Sequence, residues 1–354
     1  MAAASGVSEA ARRGGERKRL VRRAPRDYSQ RLRRAVQLAF LALNVWIGVE
    51  FYLFVRFYET GGATPFVERP AGVEGWLPIA GLMNLRAFLE TGRVPPVHPA
   101  AMFLLAAFIA MSFLLRKAFC SWLCPVGTVS EWLWRAGRRL FGRNFALPRW
   151  ADLPLRSLKH VLFGLFLWVV GGMSAAAVHA FMGGPYGIVA DVKMLNFFRN
   201  LSVTAAVVIG AIAVLSIFIQ NFWCRYLCPY GAMLGLFAVA SPLRIRRDKD
   251  LCIDCAKCAK ACPSRLPVDV LVTIKSAECT ACLECVAACP AAGALEFAAP
   301  GVRRRVPAWA VAAGIAVLFL GAAGYAKWSG HWQTHVPPPV YHELIPHADE
   351  FAHP

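Results

Sequence analysis

The chain has 354 residues, 57% of them hydrophobic, with a mean hydropathy of +0.47 and a formal net charge of +18. That apolar content excludes an ordinary soluble enzyme and a disordered tail, while the charge calls for strongly basic loops. A multi-pass membrane protein satisfies both.

Residues 1–35 carry eleven Lys and Arg and read as a basic arm. Such a run also suits nucleic acid, but beside a first span it acts as a topology anchor with anionic lipid as its nearest partner, so no nucleic acid is expected. Arg33–Arg34 before the apolar run faintly resembles a twin-arginine signal, yet no small-residue cleavage site follows, and the first span is expected to be retained. Five stretches approach the roughly 20 apolar residues that cross a bilayer as helix. They centre on Val36–Val55, Pro99–Leu115, His160–Phe181, Leu201–Phe222 and Val306–Ala326.

Lys and Arg are retained on the cytoplasmic side of short loops. Of the 39 basic residues, 32 lie before the first span, in the Arg116–Lys159 loop or between Arg225 and Arg305. The N-terminus and both cysteine-bearing loops are therefore expected in the cytoplasm of a cell with an inner (plasma) membrane, and the C-terminal tail outside.

All twelve cysteines fall into four groups. Two are pairs at predicted span ends, Cys120-Ser-Trp-Leu-Cys124-Pro125 and Cys224-Arg-Tyr-Leu-Cys228-Pro229, each followed by Gly at the same offset. A spacing of four puts both thiols on one helical face, and the proline bars the residue before it from helical geometry. Each pair is thus expected in the last turn of a span, where the negative helix end disfavours a thiolate and Arg116, Lys117 and Arg225 partly offset it. A metal-bound thiol is more natural there than a free reactive one. Thr128-x-x-Glu131 reads as a capping box that opens an amphipathic surface helix.

The two pairs mark an internal duplication, each following an inward-running span preceded by an outer segment of similar texture, Pro78 to Phe88 and Gly187 to Phe197. Parallel repeats would bring Cys120, Cys124, Cys224 and Cys228 to equivalent depths. Converging, they suit a third iron-sulfur cluster, copper or a dithiol relay. Facing outward, they are small apolar contacts.

The other eight cysteines form C-x2-C-x2-C-x3-C-P twice, as Cys252, Cys255, Cys258, Cys262, Pro263 and as Cys279, Cys282, Cys285, Cys289, Pro290. This is the bacterial two-cluster ferredoxin run, in which the fourth cysteine of each run ligates the other [4Fe-4S] cluster. Cluster 1 would take Cys252, Cys255, Cys258 and Cys289, and cluster 2 Cys279, Cys282, Cys285 and Cys262. Zinc sites rarely use this triple spacing twice, and the cytoplasm disfavours disulfides.

Over roughly residues 33–300 these motifs resemble the membrane polyferredoxins of the NapH, NosR and CcoG type. The resemblance implies electron passage between the quinone pool or a cytoplasmic donor and a periplasmic or membrane-bound reductase system, and in one branch copper reduction for oxidase assembly. The external C-terminal domain of the CcoG type and the large external flavin-binding domain of the NosR type have no counterpart in this sequence.

Among the remaining residues, His98, His160 and His179 lie near span ends and are candidates for bis-histidine haem ligation, His98 and His179 falling on one predicted side, against the plainer reading of interfacial histidines. Trp76 to Leu89 is apolar enough to re-enter the membrane and border a quinone pocket. The expected fold is a mainly α membrane protein of five transmembrane helices with a duplicated two-span repeat and a small α+β ferredoxin-like segment. Its divisions are a basic arm (1–35), a four-span membrane domain (36–243), the two-cluster segment (244–300), a fifth transmembrane helix (301–327) and an external tail (328–354). The expected function is membrane-bound iron-sulfur electron transfer beside other reductase subunits. Two alternatives are a copper reductase, which leaves enzyme status open, and a non-redox scaffold that senses iron or oxygen.

Overall fold

A computed structural model describes residues 22–25, 27–299 and 305–353. Most of the basic arm, and the junction into the fifth predicted helix, lie outside the described residues. The chain is mainly helical. α1 (Ser29–Glu59), α2 (Pro78–Thr91), α3 (Pro99–Leu114), α4 (Ala118–Trp122) and α5 (Pro125–Phe141) form the first half. α6 (Arg149–Gly172), α7 (Ala175–Gly183), α8 (Ala190–Arg199), α9 (Val203–Phe218) and α10 (Pro229–Val239) form the second. A compact segment follows with β1 (Arg244–Arg247), α11 (Lys257–Ala261), α12 (Glu284–Ala287) and β2 (Leu295–Ala298), and then α13 (Ala308–Trp328) and α14 (Pro338–Leu344).

Three helices, α1, α6 and α13, are long and apolar enough to cross a membrane, and α8 with α9, bent by 81° at a short break, make a fourth if the pair is one span. The 31-residue α1 would rise about 46 Å, well beyond a hydrocarbon core of about 30 Å. The second predicted span is the 16-residue α3, a rise of only about 24 Å. The third is shifted. α6 begins at Arg149 and ends at Gly172, and Ser174 then caps a new helix by accepting from the Ala177 N–H at 3.2 Å.

One core joins the helices to the cysteine-rich segment. Leu104, Phe108 and Met111 of α3, Trp122 of α4 and Leu234 of α10 pack in the same cluster as Ile245, Leu266, Ile274 and Phe297. Residues 244–299 are thus held by shared burial as well as by the chain. β1 and β2 pair antiparallel with Ile245 opposite Phe297, and both side chains are buried. The chain before α1 adds to this end: Arg23 bridges Ala291, and the Ala24 N–H donates to the Pro290 carbonyl at 2.8 Å.

The opposite end of the bundle is fastened by buried charge. Arg69 donates to Asp191 at 2.6 Å and to Glu74 at 2.7 Å, and Glu74 also accepts from the Thr334 hydroxyl at 2.6 Å and from the Ala101 N–H that opens α3. Arg69, His98 and the Thr334 hydroxyl hold the Glu74 carboxyl down at about 2 despite its burial. The network ties the loop before α2, the start of α3, the approach to α8 and the tail together.

Candidate redox sites

Two small cavities in the cysteine-rich segment have four thiols each. Cys252, Cys255, Cys258 and Cys289 line one, and Cys262, Cys279, Cys282 and Cys285 line the other. All twelve cysteines of the chain are free of disulfides. The backbone explains the convergence. In each run the residue before the second cysteine and the residue after it are left-handed: Asp254 and Ala256 at φ 52° and 53°, Ala281 and Leu283 at φ 49° and 59°. Left-handed conformation costs a non-glycine residue roughly 1–2 kcal/mol, and it turns successive thiols and N–H groups to a common centre. The same strain at the same two positions of both loops fits a bound anionic group that repays it.

The two sites differ in their surroundings. Cys255 is exposed, whereas Cys262, Cys279 and Cys285 are buried. The Cys279 loop is docked on the helices: the Trp122 indole N–H donates to the Ala281 carbonyl at 3.1 Å and the Ser121 hydroxyl to the Thr280 carbonyl at 2.6 Å. Arg33, 1% exposed, pairs with Glu131 of α5 and Glu284 of α12, both at 2.7 Å. The residue that hinted at an export signal is a buried strut, and the Glu131 expected in a capping box is its partner.

The span-end pairs are not in the last turns of their spans. α3 stops at Leu114, Arg116 and Asn221 adopt left-handed conformations, and Cys120 lies in the separate short α4 while Cys224 opens a π-turn, Trp223–Leu227. Cys124 and Cys228 are the N-caps of α5 and α10, with sulfurs that accept from the Gly127 and Gly231 N–H groups at 3.4 and 3.3 Å. The following prolines take the first helical position, where a missing N–H costs nothing. Gly127 is required because a Cβ would stand 2.3 Å from the Cys120 carbonyl oxygen. The second thiol of each pair therefore meets the positive end of a helix, not the negative one. Burial outweighs that dipole and pushes Cys120 up to about 11 and Cys124 up to about 12.

All four of these cysteines line one cavity of about 620 Å³, which runs between α1, α3 and α13 as far as Trp76 and Trp332 at the opposite end. Its walls are largely apolar, with Phe40, Leu43, Ile47, Leu104 and Phe319 along its length and Lys117 and Glu278 near the thiols. Cys282 and Thr280 line both this cavity and the docked cluster site. Among the described residues no group of three or more His, Cys, Asp or Glu is arranged to hold a single metal ion.

The haem candidates do not pair. His98 is fully buried with Nδ1 against Arg69 at 3.0 Å and Nε2 against the Gly187 carbonyl at 2.9 Å, while His179 is exposed. Sequence reasoning also missed Asp152, which accepts from Arg225 and from the Tyr226 hydroxyl at 2.6 Å and steadies the turn that carries Cys224. No spacing rule links residues so far apart.

A family described as a 4Fe-4S binding domain matches residues 97–144 and again 201–248, at the separation of Cys120 from Cys224, and one described as a 4Fe-4S dicluster domain matches 244–290. YccM of Escherichia coli (strain K12), whose name assigns it provisionally to electron transport, is 49% identical over 91% of both chains. The regulatory protein NosR of Pseudomonas aeruginosa is 34% identical over 46% of this chain and 22% of its own. The ferredoxin-type protein NapH of Haemophilus influenzae is 30% identical over 47% of this chain and 55% of its own. No solved structure matches.

Proposed function

The chain belongs to the NapH/NosR-type membrane polyferredoxins, a family of iron-sulfur electron transport proteins, and from that premise we propose that it moves electrons through three redox sites in series. An iron-sulfur cluster supplies reversible one-electron chemistry when bound. Cys252, Cys255, Cys258 and Cys289 would hold the outermost cluster, and Cys279, Cys282, Cys285 and Cys262 the docked one. Cys120, Cys124, Cys224 and Cys228 would hold a third redox group beside the long cavity. The observation that carries this reading is the shared wall: Cys282 borders the docked site and the four-thiol cavity at once.

The exposed Cys255 marks the face for a cytoplasmic partner, and the cavity suits a quinone of the membrane pool as the other exchange partner, since pockets of about 300–1,000 Å³ with apolar walls and few polar groups hold such molecules. A reductase or assembly system in the membrane or periplasm completes the path. In lipid nanodiscs under anaerobic conditions, a short-chain quinol should reduce the clusters, read by EPR, and the variant with serine at all four span-end cysteines should not respond. Clusters reduced by dithionite but never by quinol would remove the quinone partner. The copper-reductase alternative would be favoured instead by cupric turnover in the wild type that the four-serine variant lacks.

The proposed topology has five crossings, with α3 and α9 completed by their flanks and residues 225–305 cytoplasmic. Reporter fusions at Arg247 and Gly330 should report opposite sides. The same side for both would end the assignment.

A further inference from the structure

Between α3 and α4 two consecutive cations, Arg116 and Lys117, are both buried, at 0% and 4% exposure. The left-handed turn at Arg116, φ 56°, is a conformation arginine rarely adopts. It is secured by the Arg116 N–H donating to the Ser241 hydroxyl at 3.2 Å. The two side chains part company from there.

The Arg116 guanidinium donates through one nitrogen to the Ser276 carbonyl at 2.7 Å, while Nε and the other terminal nitrogen have no partner. A buried cation with unmet donors costs several kcal/mol. The Ser276 carbonyl that takes this bond also accepts from the Cys279 N–H at 3.2 Å, which sets Cys279 beside the guanidinium, and the like charge of Arg244 adds to burial in disfavouring the Arg116 cation. What the guanidinium lacks is a strong acceptor, which a ligating thiolate at Cys279 would be.

Lys117 turns instead into the large cavity. Its ammonium lies over Gly231 and Gly235, one turn apart on α10, where an added Cβ would stand 3.6 and 3.7 Å from Nζ. The Cys228 sulfur stands the same 3.6 Å from the Gly231 position, Cys120, Cys224 and Glu278 line the same cavity, and Glu278 is in turn paired with Lys159 at 2.6 Å.

We propose that Arg116 and Lys117 divide their charges between two redox sites as positioning residues, Arg116 donating to the Cys279 sulfur of the docked cluster and Lys117 supplying counter-charge to the four-thiol site. Each makes its own site easier to reduce, because donors to the sulfurs and nearby positive charge stabilise the more negative reduced state. The inference rests on the serial reading above and is separable from it.

The test is an EPR-monitored redox titration of full-length wild type, R116M and K117M, with iron content measured first. At fixed ambient potential R116M should lower the reduced-to-oxidised ratio of the docked cluster about tenfold, equivalent to about 59 mV for a one-electron couple, and leave the exposed cluster unmoved. K117M should do the same to the four-thiol site alone. R116K should recover part of the loss, and it also serves for the titration if R116M retains too little iron. Intact iron with unmoved midpoints, or each variant shifting the other's site, would overturn the inference. Loss of no redox centre in the four-serine variant would instead overturn the underlying reading of that site, and the Lys117 half with it.

Discussion

The two four-cysteine sites share a spacing and a backbone trace, and they differ in everything around them. At the docked site Cys262, Cys279 and Cys285 are buried, Trp122 and Ser121 hold the loop carbonyls, and Arg33 and Lys159 bring buried charge to its edges. At the outer site Cys255 is exposed, and the ion pair of Asp254 with Arg247 spans 3.7 Å. Burial and donors to sulfur govern cluster potentials, so one motif used twice yields two unlike centres. In the proposed path the outer site would meet a soluble partner and the inner one would exchange electrons with the four-thiol site.

The strongest way to break this comparison is to strip one site through a residue of the other run. Cys262 belongs by sequence to the outer run, yet its thiol lines the docked cavity. C262S should therefore abolish the docked cluster's signal with the loss of one cluster's iron, while the outer cluster keeps its spectrum. Mössbauer and EPR spectra that lost the outer cluster instead would invert the pairing.

The grouping of the thiols around two cavities was legible in the sequence because it follows a spacing that the chain writes out. Helix ends were less so. His160–Phe181 reads as one apolar span, but the break at Met173 and the cap at Ser174 depend on a serine hydroxyl that hydropathy does not register. The capping role of Cys124 and Cys228 left a trace, a proline followed two residues on by glycine, which is the start signal of a helix as much as the end signal of the previous one. Arg33 left none. Its partners Glu131 and Glu284 are far apart in sequence and meet only in the folded core.

Removing that strut is the next largest effect. R33M keeps the length of the side chain but leaves Glu131 and Glu284 partly uncompensated in a buried setting, which costs about 3–5 kcal/mol when one partner of a buried pair is lost. Arg33 and its neighbours hold the Glu131 carboxyl below its ordinary value against the cost of burial. Without Arg33 burial prevails, so the folded-state value rises above the unfolded one, and the protonated carboxyl is the better tolerated form. Stability in R33M should then be greatest at low pH and lost as pH rises, the reverse of what a depressed carboxyl contributes in the wild type. Thermal unfolding in detergent, followed by the absorbance of the docked cluster, should show the R33M deficit narrowing as pH falls toward the ordinary glutamate range. A deficit independent of pH would mean that the strut acts by packing alone.

The smallest effect sharpens the contrast most directly, because it compares one position in both runs. Ala281 and Asp254 each precede the second cysteine of a run and share the left-handed conformation. The Ala281 carbonyl is held by Trp122, whose side chain is fully buried. W122F removes the donor while keeping most of the volume, so the buried carbonyl loses its partner at a cost of about 1–3 kcal/mol. Asp254 has 62% of its side chain exposed, and its ion pair with Arg247 spans 3.7 Å, a kind of contact worth about 0–1 kcal/mol. Asparagine also tolerates the left-handed region, so D254N should change stability by less than about 0.5 kcal/mol. Paired melts of W122F and D254N, with iron retention measured in each, decide the point. Equal losses would mean that the docked loop gains nothing from its seat on the helices, and the asymmetry between the two cluster sites would then have to come from solvent access alone.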